Sequence, residues 1–320
     1  MSQFKIKYFS LIFVLIFTLI IGAYFNYKKL CLSFIPYGVS DFNYVTLGSD
    51  KDFCLKIIDK SIKFITNEKG ARIIKNKSHA NLKVFGDSQV LGLEVNSHND
   101  YFLSEEFNNN SFEVYAAPNN GPYEVINRIN ELEFNPNENV VINFNISVDI
   151  YRLNDWYPEN FISLHEKHID LIHQVPFLAD IFMLYNILLK NNFTIKRSNL
   201  FEMQALFLEQ NLNTLNYELK IYLDDLDEIL FKKNITATLI FSTPYWLYSS
   251  NDASFKILNM EIFDKYKKLI SIIENYSFIN YYPQIKFART KEPTIIQRYE
   301  FTSDNRHIKN YLLKKIIYFN

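Results

Sequence analysis

Lys83-Val84-Phe85-Gly86-Asp87-Ser88-Gln89-Val90-Leu91-Gly92-Leu93 reads as a short buried strand that passes through a tight turn into a helix, with a serine on the turn. At the carboxyl end of a strand in a parallel α/β sheet, ligands bind and the next helix presents unpaired N–H groups. A hydroxyl placed there is exposed and electrophilically assisted. The chain holds only seven glycines, and Gly86 and Gly92 bracket Ser88. Gly86 lets the backbone turn without a Cβ clash, and Gly92 lets the following helix pack close to the sheet. Taken alone, Gly86-Asp87-Ser88 is more simply a turn capped by a serine. Its weight depends on the rest of the chain.

Downstream, strands alternate with helices. After Leu82–Phe85 come a second strand at Phe112–Ala116, a loop at Pro118-Asn119-Asn120-Gly121 and a helix over Pro122–Leu132 with Val125, Ile126 and Ile129 on one face. Val140–Phe144 is a third strand, Thr238–Ser242 a fourth, and a fifth lies within Ile279–Phe287; His307–Tyr318 has the spacing of a terminal helix. This alternation implies right-handed crossovers and a five-stranded parallel sheet covered on both faces, an α/β fold. A long helical insert, about residues 155–235, separates strands three and four. In it Phe177–Leu189 is apolar but too short to span a bilayer, and Leu208, Leu212, Leu215, Leu219, Leu223 and Leu226 recur at steps of four and three. That seam is core packing first and a surface for a protein partner second.

Upstream, Tyr8–Phe25 is an almost unbroken apolar run without a charge, flanked by Lys5, Lys7, Lys28 and Lys29. It is long enough to span a bilayer, exceeds the usual apolar core of a cleaved signal, and lacks a good cleavage site at Ile21-Gly22-Ala23, so residues 1–30 read as an uncleaved single-pass signal-anchor. Residues 31–78 form a juxtamembrane segment: a loop over Pro36–Gly48, then a helix over Lys51–Thr66 from the spacing of Leu55, Ile58, Ile62 and Ile65. Cys31 and Cys54, the only cysteines, either close a disulfide in an oxidising compartment or remain two inconsequential thiols.

Composition narrows the function classes. The chain has 320 residues, 48% hydrophobic and 22% charged, which suffices for one sizeable core. A formal net charge of −1 with scattered Lys and Arg offers no basic face, so a nucleic-acid partner is not expected. His165-Glu166-Lys167-His168 with His173 lacks the spacing that places two imidazoles one helical turn apart, so no metal is expected there. Asp224, Asp225, Asp227 and Glu228 read as a solvated helix face.

Gly86-Asp87-Ser88, Asn119-Asn120-Gly121, the strand end at Asn145 and the late Asp304-Asn305-Arg306-His307 fall in the order and approximate spacing of one family. Over about residues 80 to 320, less the insert, the chain resembles the SGNH (GDSL-type) hydrolase superfamily of esterases and acyltransferases, in its membrane-anchored bacterial envelope form. The resemblance implies a three-layer flavodoxin-like domain over 79–320 and a Ser-His-Asp triad: Ser88 the nucleophile, His307 the base, Asp304 its orienter. Chemistry gives the reason: a serine hydroxyl is a weak nucleophile until an imidazole accepts its proton, and the imidazole needs a carboxylate. The resemblance also implies an oxyanion hole from the N–H groups of Ser88 and Gly121 and an asparagine side chain.

The third block departs from the family's Gly-x-Asn-Asp. In Asn143-Phe144-Asn145-Ile146-Ser147-Val148-Asp149, aligning Asp149 with the motif's aspartate puts Val148, which cannot donate, at the asparagine. Asn145 is the expected donor and Ser147 a weaker substitute. The implied substrate is an acylated small molecule or a cell-surface polysaccharide outside the cytoplasm, without metal or organic cofactor. A glycan-binding or scaffolding domain without catalysis is the alternative.

Overall fold

The structure is a computed structural model that describes residues 37–39, 45–47, 49, 52–57, 60–76, 80–92, 95–117, 120–145, 149–150, 152–153, 197–242, 282–290 and 317–319, with Val14. Its centre is a seven-stranded sheet: β5 (Arg72–Ile74), β6 (Ala80–Gly86), β7 (Asn110–Ala116), β8 (Asn139–Asn145), β9 (Thr236–Ser242), β10 (Ile285–Thr290) and β11 (Ile317–Phe319). The spatial order is β11-β10-β9-β8-β6-β7-β5. Five neighbouring strands, β7-β6-β8-β9-β10, are mutually parallel, and β5 and β11 add antiparallel edges. Counted in chain order, the parallel strands stand 2-1-3-4-5, and the winding reverses between β6 and β8.

These strands form because their sequences suit a sheet covered on both sides. β8 (NVVINFN) and β9 (TATLIFS) are buried at every residue after the first. Alternate residues feed two cores: Phe85, Ile142, Phe144 and Leu239 one, Val84, Val114, Val141 and Ile240 the other.

The first core is closed by α1 (Pro122–Glu131) and α2 (Arg197–Lys233). Proline at its first position starts α1, and Val125 and Ile129, one turn apart, are buried in this core. In α2, Leu215, Leu219, Tyr222, Leu223, Leu226 and Leu230 are buried at helical spacing, so the leucine seam from Leu215 onward serves the core. The second core takes in Val90, Leu91, Val95, Tyr101, Phe102 and Leu103 after β6, and Leu47, Ile62 and Phe64 before the sheet. Right-handed crossovers account for this division. The connection from β6 to β7 runs one way across the sheet, and those from β7 to β8 and β8 to β9 run the other way, so they lie on opposite faces.

Several expected elements differ. Where a helix is expected over 51–66, β3 (Asp52–Ile57) pairs antiparallel with β4 (Lys60–Ile65). The alternation of exposed Ser61 and Lys63 with buried Ile62 and Phe64 is a strand period, and it overrides the looser spacing of Leu55, Ile58, Ile62 and Ile65. The loop at 36–48 contains β1 (Tyr37–Val39) paired with β2 (Val45–Leu47). The described residues after Ser88 form turns and one 3₁₀ turn (His98–Asp100) in place of a helix. Gly92, at φ 69°, stops helical winding there. The main sheet also begins earlier than residue 79, at β5, and Ile317 and Tyr318, the end of the expected terminal helix, lie in β11, while residues 307–316 lie outside the described residues.

Cys54, on β3, is disulfide-bonded, and Cys31 is the only other cysteine in the chain. No helix among the described residues is long and apolar enough to cross a membrane, and apart from Val14 the apolar run at 8–25 lies outside them.

Candidate functional site

Ligands of open parallel sheets bind beyond the carboxyl ends of the strands, where the winding reverses. Here that point lies between Gly86, ending β6, and Asn145, ending β8. Gly86 has φ 154°, and a Cβ on it would stand 3.0 Å from Val90 Cγ2 and 3.1 Å from the Asn143 carbonyl oxygen. Only glycine lets the chain leave the sheet at this place.

Asp87 follows and is buried. Its Oδ1 accepts the Gln89 N–H at 2.8 Å, closing a tight side-chain turn around the half-buried Ser88. Its Oδ2 accepts from Asn145 Nδ2 at 2.9 Å. One carboxylate thus shapes the serine turn and fixes the amide of the neighbouring strand end. Asn145 is held a second time, its backbone N–H donating to Asp149 Oδ2 at 2.7 Å. Asp149 pairs with Arg152 at 3.7 Å, and Arg152 donates to the Asn120 carbonyl beside Gly121. A continuous polar chain, Asp87–Asn145–Asp149–Arg152–Asn120, therefore links the exits of β6, β8 and β7.

Burial without full compensation shows in the charges. The Asp149 carboxyl is pushed well above the usual carboxylate range, first by desolvation and then by the charge of Asp87; Arg152 and the Asn145 N–H oppose the shift. The Tyr222 hydroxyl of α2 is also raised, by burial and by the Asp149 charge, so the insert helix reaches beneath the site. Its ring packs 5.6 Å from that of Phe144, next to Asn145.

Gly121 caps α1. Its N–H donates to Glu124 Oε2 at 2.9 Å, and a Cβ on it would lie 2.7 Å from Arg152 Cδ. Sequence reasoning placed a glycine here for its N–H; the structure adds that a larger residue would have to displace the Arg152 and Glu124 side chains.

Gly86, Asp87, Ser88, Gly121 and Asn145 all lie at this end of the sheet. Asp304 and His307 lie outside the described residues, as do Asn119, Ser147, Val148 and the histidines at 165, 168 and 173. Among the described residues no group of His, Cys, Asp or Glu can hold a metal ion. Asn143 is buried on the same side of β8 as Asn145, one repeat deeper. Sequence reasoning missed Arg152, though Asp149-x-x-Arg152 has the three-residue spacing of a helical ion pair, and it gave Asn120, within the quoted Asn119-Asn120-Gly121 block, no role of its own. Compared with models of known protein families and with curated proteins, the chain matches none.

Proposed function

We propose that the chain is a serine esterase or O-acyltransferase with a flavodoxin-like SGNH domain, acting through an acyl-enzyme on Ser88. Ser88 Oγ adds to the ester carbonyl and its proton passes to His307, held by Asp304. The proton then leaves with the alcohol, and water or a sugar hydroxyl takes the acyl group. The observation that carries the reading is the Asp87–Asn145 hydrogen bond beside Ser88, at the reversal of the winding. It sets an amide donor next to a turn-borne serine, as the oxyanion of a tetrahedral intermediate requires. The substrate we favour is an acyl ester of a cell-surface polysaccharide. An anchor at residues 8–25 fits a domain outside the cytoplasm, and the disulfide at Cys54 supports that compartment.

A second reading, a glycan-binding or scaffolding domain without catalysis, draws on the Gly121 N–H being engaged by Glu124. Labelling with a fluorophosphonate, wild type against Ser88→Ala, decides between them: label on Ser88 in the wild type alone supports the enzyme, and none in either supports the binding domain.

A further inference from the structure

Arg72 is 2% exposed on the edge strand β5, and the carboxylates of the polar chain described above do not contact it. Its guanidinium donates to the carbonyls of Leu91 at 2.7 Å, Val95 at 2.6 Å and Gly92, and lies 3.7 Å from the centre of the Phe64 ring. Tyr101, fully buried, donates its hydroxyl hydrogen to the carbonyl just before these, Val90, at 2.8 Å. A helix after Ser88 would satisfy those carbonyls internally. Here the turn leaves them pointing inward, where an unpaired carbonyl costs free energy, and a buried cation with a planar fork of donors gathers three of them. Gly92 belongs to the same device, since a Cβ there would lie 3.2 Å from Arg72 Nη1.

We infer that Arg72 is a positioning residue for the nucleophile: it holds the turn carrying Ser88 from the side opposite Asp87. The turn has two anchors, the Asp87 carboxylate on its N-terminal side and the Arg72 guanidinium on its C-terminal side. Ser88 lies between them. Small misplacement of a reacting group costs rate steeply, on the order of 10²-fold for about 1 Å. Lysine offers a point charge without the fork, so it cannot span three divergent carbonyls.

This inference rests on the proposed acyl chemistry of Ser88, and its test separates the two. Fluorophosphonate labelling of Ser88 and ester turnover are measured for wild type, Arg72→Lys, Arg72→Ala and Ile129→Val, the last weakening the core on the opposite face. Amide hydrogen exchange over residues 88–95 is followed in parallel. We expect labelling and kcat to fall on the order of 10²-fold in both Arg72 variants with KM little changed, exchange over 88–95 to rise, and guanidinium ion to restore part of the Arg72→Ala rate. Ile129→Val should keep the wild-type rate. Arg72 variants that label at the wild-type rate, or with unaltered exchange over 88–95, overturn the role of Arg72 and leave the enzyme reading standing. An unlabelled wild type overturns both.

Discussion

Asn145 Nδ2 donates to Asp87 Oδ2 across 2.9 Å, so the end of β8 and the turn after β6 share one hydrogen bond. Asp87→Ala removes the acceptor of that bond and of the Gln89 N–H together. Two hydrogen bonds of buried residues are lost together, and losing the partner of a buried polar group costs about 1–3 kcal/mol. We expect Asp87→Ala to unfold at clearly lower urea concentration and to lose Ser88 labelling even where it remains folded.

Asn145→Ala is the complementary change. An oxyanion donor acts where charge develops, so turnover should fall on the order of 10²–10³-fold with little change in KM. Asn143→Ala should keep its turnover. Its buried Nδ2 has no hydrogen-bond partner among the described residues, so the change strands no acceptor. Steady-state kinetics on both variants checks this, and damage from Asn143→Ala alone would shift the donor one repeat along β8.

Asp149 gives a pH dependence of known sign. Its folded pKa is raised by burial and by Asp87, so between the ordinary carboxylate value and the folded value the native state binds more protons than the unfolded one. Its contribution is fully present below the unfolded pKa and is lost as pH rises through the folded pKa. Asn at this position stays neutral and keeps an acceptor for the Asn145 N–H. Urea unfolding from pH 4 to 8 should therefore show Asp149→Asn gaining on the wild type as pH rises.

Gly121→Ala should destabilise by about 1–3 kcal/mol, the usual cost of forcing atoms into a filled space. The added methyl meets Arg152 Cδ at 2.7 Å and Glu124 Oε2 at 2.8 Å. Thermal unfolding measures it. If the Gly121 N–H serves the oxyanion, Glu124→Ala, which releases that N–H, should not lower turnover.

Ser88→Ala and His307→Ala should each abolish ester turnover, and the double variant should be hardly worse, because groups acting as a unit are strongly non-additive. Asp304→Asn should slow the reaction while leaving thermal unfolding nearly unchanged. Unaltered turnover in His307→Ala would remove it as the base.

The parallel core was legible in the sequence because strands buried on both faces read as apolar runs; Val140–Phe144 and Thr238–Ser242 lie within β8 and β9. The pairing of β3 with β4 was not, since the spacing of Leu55, Ile58, Ile62 and Ile65 fits a helix and a strand pair alike. Only the tighter alternation in Lys60–Ile65 distinguishes them. The residues after Ser88 were misread for a different reason. Gly92 stops helical winding there, and the carbonyls of the turn are taken up by a side chain from β5, Arg72, 19 residues before Leu91, a partner of which a local pattern holds no record. Arg152 was overlooked likewise, because its carbonyl acceptor at Asn120 lies 32 residues away.

The two antiparallel edges bear on how the molecule behaves in a crowded compartment. β5 and β11 are three residues each, whereas the parallel strands between them run to six or seven. A long apolar strand at the margin would offer a template to another chain, and sheets of this composition would then grow by accretion. Margins this short give an incoming strand too few partners to hold. The chain can therefore concentrate its most aggregation-prone sequence in the middle of the sheet.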